Sequence, residues 1–223
     1  MPRTAKPHIA AILTTTCLLG CGGAPAAAAA SLAIHVLKKD GKPLVGAVLT
    51  LAAESPRLPP AAPTHAVVDQ IDLAFVPDVI VIPVGSTISF PNSDAVSHQV
   101  YSFSSARRFQ LPLYRGKPYP PVAFDQPGLV TLGCNIHDNM LAYVVVTDAP
   151  FFGRTDAHGD WVVDTVPSGT YHVTLWHPLL NESGASVERT VQIDGTERTE
   201  LALRLSRALR PAPISSRPHS WDY

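Results

Sequence analysis

The chain has 223 residues, with 17 basic and 18 acidic side chains and a formal net charge of −1. A balance this close to neutral, with no basic stripe, excludes the electrostatic footprint of a nucleic-acid partner. Hydrophobic residues make up 46% of the chain, and 22 prolines and 14 glycines divide it into short pieces. No piece carries sustained helical periodicity, and none after the N-terminus is long enough to span a membrane.

The first thirty residues read as an export signal. Arg3 and Lys6 supply the positive start, and an apolar stretch over 9–19 follows. That stretch is well short of the roughly 20 residues a transmembrane helix needs. Two cleavage sites compete. Leu18-Leu19-Gly20-Cys21 resembles a bacterial lipoprotein signal with Cys21 as the acylated first residue, whereas Ala28-Ala29-Ala30 suits cleavage before Ser31. Both place the mature chain in the periplasm or cell envelope, and the first adds a lipid anchor that does not span. Removing residues 1–20 takes two of the 17 basic and none of the 18 acidic residues, leaving a charge of −3. About 175 residues remain before the tail, enough for one large or two small cores.

The mature chain opens on Gly41-Lys42-Pro43-Leu44-Val45-Gly46, a turn leading into an alternating strand through Val48. Residues 54–63 are Pro-rich and read as a linker. Short β-rich runs follow at 67–75, 79–84, 87–91, 99–103, 108–113, 122–124, 129–134 and 142–147, punctuated by Pro83-Val84-Gly85, Pro91-Asn92 and Pro127-Gly128. Their spacing predicts an antiparallel sandwich or barrel. Beyond them, Thr155-Asp156-Ala157-His158-Gly159 opens another strand pair, and Pro167-Ser168-Gly169 turns into a strand with Tyr171, Val173 and Leu175 on one face. Residues 206–223, with three prolines and no apolar period, read as a flexible tail.

The flanking elements, "GKPLVGAVLTL" and "TDAHGDWVVDTVPSGTYHV", resemble the small transthyretin-like or carboxypeptidase-regulatory-like β-sandwich. In that family the two are adjacent, whereas about a hundred residues separate them here. The expectation is one discontinuous sandwich, 31–54 and 150–205, with a domain spanning 64–149 inserted between its strands. The competing arrangement is two consecutive domains with an additional N-terminal hairpin.

Chemistry concentrates in Cys134-Asn135-Ile136-His137-Asp138-Asn139-Met140. An exported thiol without a disulfide partner is a liability unless something holds it, and here an imidazole and a thioether lie within six residues. Two imidazoles and a thiolate in a trigonal plane, with a weak axial thioether, suit copper in both oxidation states. Cys134 closes a strand on whose core-facing side Val130 and Leu132 also lie, and His98 begins the strand after the loop 91–97, so it is the candidate for the second imidazole. Zinc is the other metal, but a thioether serves it poorly; without a metal, Cys134 and Met140 would be ordinary core residues.

Phe90-Pro91-Asn92 with His98, and Cys134-x-x-His137-x-x-Met140, are similar to the ligand segments of the cupredoxins with an amicyanin-type short loop. The runs "FPNSDAVSHQVYSFS", "LYRG", "PVAFDQPGLVTLGCNIHDNM" and "AYVVV" resemble more specifically the bacterial methylamine-utilisation-like cupredoxins. The resemblance implies an all-β chain, a cupredoxin Greek-key sandwich or barrel beside the small sandwich. It also implies one type 1 copper held by His98, Cys134, His137 and Met140. Asn92 then either ties its loop to the ligand loop or closes an Asx-turn only.

The function expected is electron transfer between redox proteins that the sequence does not identify. The alternatives are copper handling and a non-catalytic cell-envelope module. No Ser-His-Asp set, carboxylate pair or phosphate loop suggests an enzyme. His35, His65, His158, His172 and His177 read as surface or packing residues. Arg107, Arg108, Arg115 and Lys117 are either solvated charges or a docking face for an acidic redox partner.

Overall fold

A computed structural model describes residues 29–116, 118–180, 186–195 and 197–211. Residues 1–28 of the expected export signal, with Cys21, as well as Lys117 and the part of the tail beyond residue 211, lie outside the described residues, whereas Ala29 and Ala30, the last two residues of that signal, begin a strand. The described residues form strands and turns and contain no helix, so the chain is all-β. Among them no helix is long and apolar enough to cross a membrane.

The two ends of the described chain share one core. Ala29–Leu37 pairs antiparallel with Asp160–Pro167 on one side and parallel with Thr199–Arg204 on the other. Val48–Ala53 lies between Phe151–Arg154 and Gly169–Trp176, with Leu51 opposite Val173 and Leu49 opposite Leu175; Val187–Ile193 forms the other edge. Period-two alternation explains the core. Leu49 and Leu51 point inward with Tyr171, Val173 and Leu175, against Leu32, Ile34 and Val36 of the other sheet. Gly153 permits this packing, because a Cβ there would stand 2.1 Å from the Trp161 indole nitrogen.

Between those ends a second core forms. One sheet runs in the order Val79–Pro83, Leu141–Thr147, Gly128–Gly133, Tyr101–Ser104, Arg107–Gln110; the other in the order Val122–Phe124, Ser86–Ser89, His65–Val67. Phe90, Phe124, Ile88, Val100, Leu132 and Val144 are buried together from both.

Residues 67–75, expected as one strand, are divided. His65–Val67 joins the three-stranded sheet, and Asp69–Ile71 and Ala74–Val76 make a separate hairpin. Its two turn residues, Asp72 and Leu73, have φ of 52° and 58°. That is the left-handed pair a two-residue hairpin requires, achieved without the usual Asn-Gly. Asp94 accounts for it: its carboxylate accepts the Asp72 amide at 2.6 Å and the Leu73 amide at 3.0 Å.

A small apolar seam joins the two regions. Val48, Val79 and Trp176 are buried together, and the Tyr143 and Trp176 rings meet edge-on at 5.3 Å. The Arg154 guanidinium crosses the seam to donate to the Val79 carbonyl at 2.8 Å. The start of the expected tail is docked. The Arg210 amide donates to the Leu179 carbonyl, and its guanidinium to the Pro178 carbonyl.

Candidate metal centre

Two chain segments build the site. Gly128–Gly133 delivers Cys134 from a strand whose Val130 and Leu132 are fully buried, so the thiol enters the core end-on. Gly133 lets the aromatic ring of Tyr101 lie against this strand, since a Cβ there would stand 2.8 Å from it. A tight turn follows, closed by the Met140 amide donating to the His137 carbonyl at 3.0 Å. It returns Met140 to the core cluster that contains Cys134, where it is 2% exposed. From the other side, His98 is fixed by a reciprocal backbone pair with Tyr114, amide to carbonyl in both directions at 2.9 and 3.0 Å.

His98, Cys134 and His137 converge: their ligating atoms lie within 4.8 Å of one another, and among the described residues no other set of three His, Cys, Asp or Glu does so. The His98 and His137 Nδ1 atoms are 3.1 Å apart, and Cys134 Sγ lies 4.0 Å from the first and 3.7 Å from the second. A trigonal first-row metal with nitrogen at about 2.0 Å and sulfur at about 2.3 Å needs N···S near 3.7 Å and N···N near 3.5 Å. The observed triangle fits with little adjustment. Its donors, one soft thiolate and two imidazoles, are those that suit copper. His98 is fully buried, while His137 is partly exposed and forms the solvent edge of the site.

The remaining His98 nitrogen settles which lone pair faces inward. Nε2 lies 2.6 Å from Asp94 Oδ2, with the imidazole fully buried and the carboxylate 11% exposed. A carboxylate can only accept, so Nε2 carries the proton and Nδ1 presents its lone pair to Cys134 and His137. Burial pushes the Asp94 pKa up, but the Leu73 and Asp72 amides and the His98 ring outweigh it and hold the carboxyl below its usual range. His137 is held below the ordinary imidazole value by burial and by the neighbouring His98. The first effect favours an ionised carboxylate at Asp94 and the second a neutral, ligating ring at His137.

Asn92 is buried, and its amide is committed elsewhere than to the ligand loop. Nδ2 donates to the Val96 carbonyl at 3.0 Å and the Tyr114 carbonyl at 2.9 Å, and Oδ1 accepts the Asp94 amide at 3.0 Å. It thus closes an Asx-turn and also pins the loop before His98 to the segment that pairs with His98. Beneath it the Tyr114 hydroxyl donates to the Phe90 carbonyl and accepts from Gln70 Nε2.

Three of the other described histidines have local partners. His35 meets Asp160 at 2.6 Å, His65 lies between Thr87 and Ser89, and His177 accepts the Leu179 amide. Sequence reasoning missed Asp94. Its place four residues before His98 was visible, but nothing local shows that a loop carboxylate turns back onto the ring.

The middle of the chain is similar to cupredoxins. A purple cupredoxin from Nitrosopumilus maritimus matches at 22% identity over 37% of this chain and 99% of its own, with a TM-score of 0.34. A reduced amicyanin variant matches at 22% identity over 44% of this chain and 99% of its own, TM-score 0.35. A copper-containing nitrite reductase from Thermus scotoductus matches at 24% identity over 51% of this chain and 28% of its own, TM-score 0.34. No family model and no curated protein matches the sequence.

Proposed function

We propose that this chain is an exported electron carrier holding one type 1 copper ion through His98, Cys134 and His137, with Met140 as the axial ligand. The observation that supports it is the triangle of one sulfur and two ring nitrogens, two of its residues buried and His137 at the solvent edge, built from two loops on opposite sides of the site. Copper bound there supplies a one-electron couple. The chain's own part is to keep the donors from moving between oxidation states: His98 is locked by Tyr114 and Asp94, Cys134 by its strand, and Met140 by the core. The half-open His137 is the side through which an electron enters or leaves, with exposed Ile136 and Leu141 beside it. Three strong donors and a thioether leave no coordination position for a substrate, which favours a carrier over an enzyme.

In the same proposal, residues 64–149 are a cupredoxin domain inserted in a discontinuous sandwich, a division supported by the pairing of Val48–Ala53 with Gly169–Trp176 across the intervening sequence. The N-terminal signal favours the periplasm or cell envelope, with a lipid anchor if cleavage precedes Cys21.

Loading the purified mature chain with Cu(II) and recording visible and EPR spectra through a redox titration tests this. An intense thiolate-to-copper band that bleaches and returns reversibly is the expected result. Tight Cu(I) binding without a reversible couple would replace it with copper handling, a reading disfavoured by the presence of only two methionines, Met1 and Met140.

A further inference from the structure

We propose that Asp94 is a positioning residue for the metal centre: its carboxylate fixes the tautomer and orientation of His98, places a negative charge behind that ligand, and thereby favours the oxidised ion. This rests on the copper reading above. Three observations carry it. The carboxylate touches His98 Nε2 at 2.6 Å, on the ring edge opposite Cys134 and His137. The imidazole is fully buried, so water cannot replace the carboxylate. The carboxylate is itself held from behind by the Asp72 and Leu73 amides and from its own backbone by Asn92, so it cannot swing away at little cost.

A carboxylate behind a metal-bound imidazole makes the ligand a stronger donor, and loss of such a partner commonly weakens metal binding 10–100-fold. The charge acts more on Cu(II) than on Cu(I), so its removal raises the reduction potential. Each tenfold loss of Cu(II) over Cu(I) preference corresponds to about 59 mV for a one-electron couple.

Asp94 also caps the Asp72–Leu73 turn, and a purely structural role must be separable. Asp72→Asn with Leu73→Gly installs a turn sequence that adopts positive φ unaided, so the hairpin no longer depends on the carboxylate. On that background, Asp94→Asn should raise the potential and reduce Cu(II) affinity at least tenfold, whereas Asp94→Glu should restore part of the difference. If Asp94→Asn leaves the potential where it was, Asp94 only supports the turn and the proposal fails.

The second arm needs no copper. Nitrogen-15 NMR of the metal-free chain should find His98 in the Nε2–H form, and Asp94→Ala should mix the two tautomers. A wild-type chain already in the Nδ1–H form overturns the proposal. If copper loading of the wild type gives no thiolate band, the electron-carrier reading fails, while this NMR result still decides whether Asp94 orients His98.

Discussion

The two cores of this molecule are built from the same kind of strand but treat polar groups differently. In the core formed by the ends of the described chain, Thr155 is the one buried polar residue among the described residues, and its hydroxyl donates to the Leu44 carbonyl while accepting the Ala47 amide. In the middle region Gln70, Ser86, Asn92, His98, Ser102 and Thr147 are all buried. Each such group costs free energy unless it is hydrogen-bonded, so a fold that needed only stability would have few. Three of them, Gln70, Asn92 and His98, are tied to Tyr114 beside Cys134, and there geometry has been favoured over apolar burial. Gln70 Oε1 even remains without a hydrogen-bond partner.

The contrast can be broken most completely at the thiol. Cys134→Ser keeps nearly the same shape but replaces the soft sulfur, so the thiolate-to-copper absorption should vanish entirely; optical titration with Cu(II) reads this. The matching change in the other core is Leu51→Ala. Truncating a fully buried leucine there should cost about 2–5 kcal/mol in urea unfolding. It should leave the copper spectrum unchanged, because Leu51 belongs to a separate apolar cluster. A spectral change on Leu51→Ala would show the two regions to be mechanically coupled.

How far the sequence revealed this follows from the range of each determinant. Cys134, His137 and Met140 stand in one short loop, so their spacing alone announces them. His98 could be found because it follows a Pro-Asn turn and shortly precedes a strand, Tyr101–Ser104. Strand alternation likewise gave the inward faces of Tyr171, Val173 and Leu175. Asp94 and the division of 67–75 were not legible, and for one shared reason. The Asp72-Leu73 turn has no glycine or asparagine, and is held by a carboxylate more than twenty residues away that also grips His98. Neither segment signals the contact by itself. Asn92 was recognised as important, but its targets, Val96 and Tyr114, depend on how the loop returns.

A smaller effect is expected at Tyr114, beneath the site. Burial pushes its pKa up from 10.0 to about 12. A phenol whose folded value is raised contributes stability that is intact below the unfolded pKa and is lost as pH rises through the folded one. The wild type should therefore lose stability between pH 10 and about 12. Tyr114→Phe should remove that component of the alkaline loss. At neutral pH the variant should be about 1–3 kcal/mol less stable, since the Phe90 carbonyl loses its donor. Urea unfolding of both chains across this range gives the difference directly. Equal pH profiles would mean that the phenol is free to ionise in the folded chain.

The smallest effect tests what holds the two regions together. Arg57, from the linker, meets Asp148 at 2.7 Å, but their side chains are 79% and 47% exposed. An exposed pair of this kind contributes at most about 1 kcal/mol and is screened by salt. The seam of Val48, Val79 and Trp176 removes apolar surface from water at any ionic strength. Arg57→Ala should accordingly change stability by less than about 1 kcal/mol, with the difference disappearing in molar salt. Trp176→Ala should cost about 3–5 kcal/mol whatever the salt. Unfolding curves of both variants at low and high salt would read the two together. A larger loss from Arg57 than from Trp176 would assign the joint between the regions to charge rather than to burial.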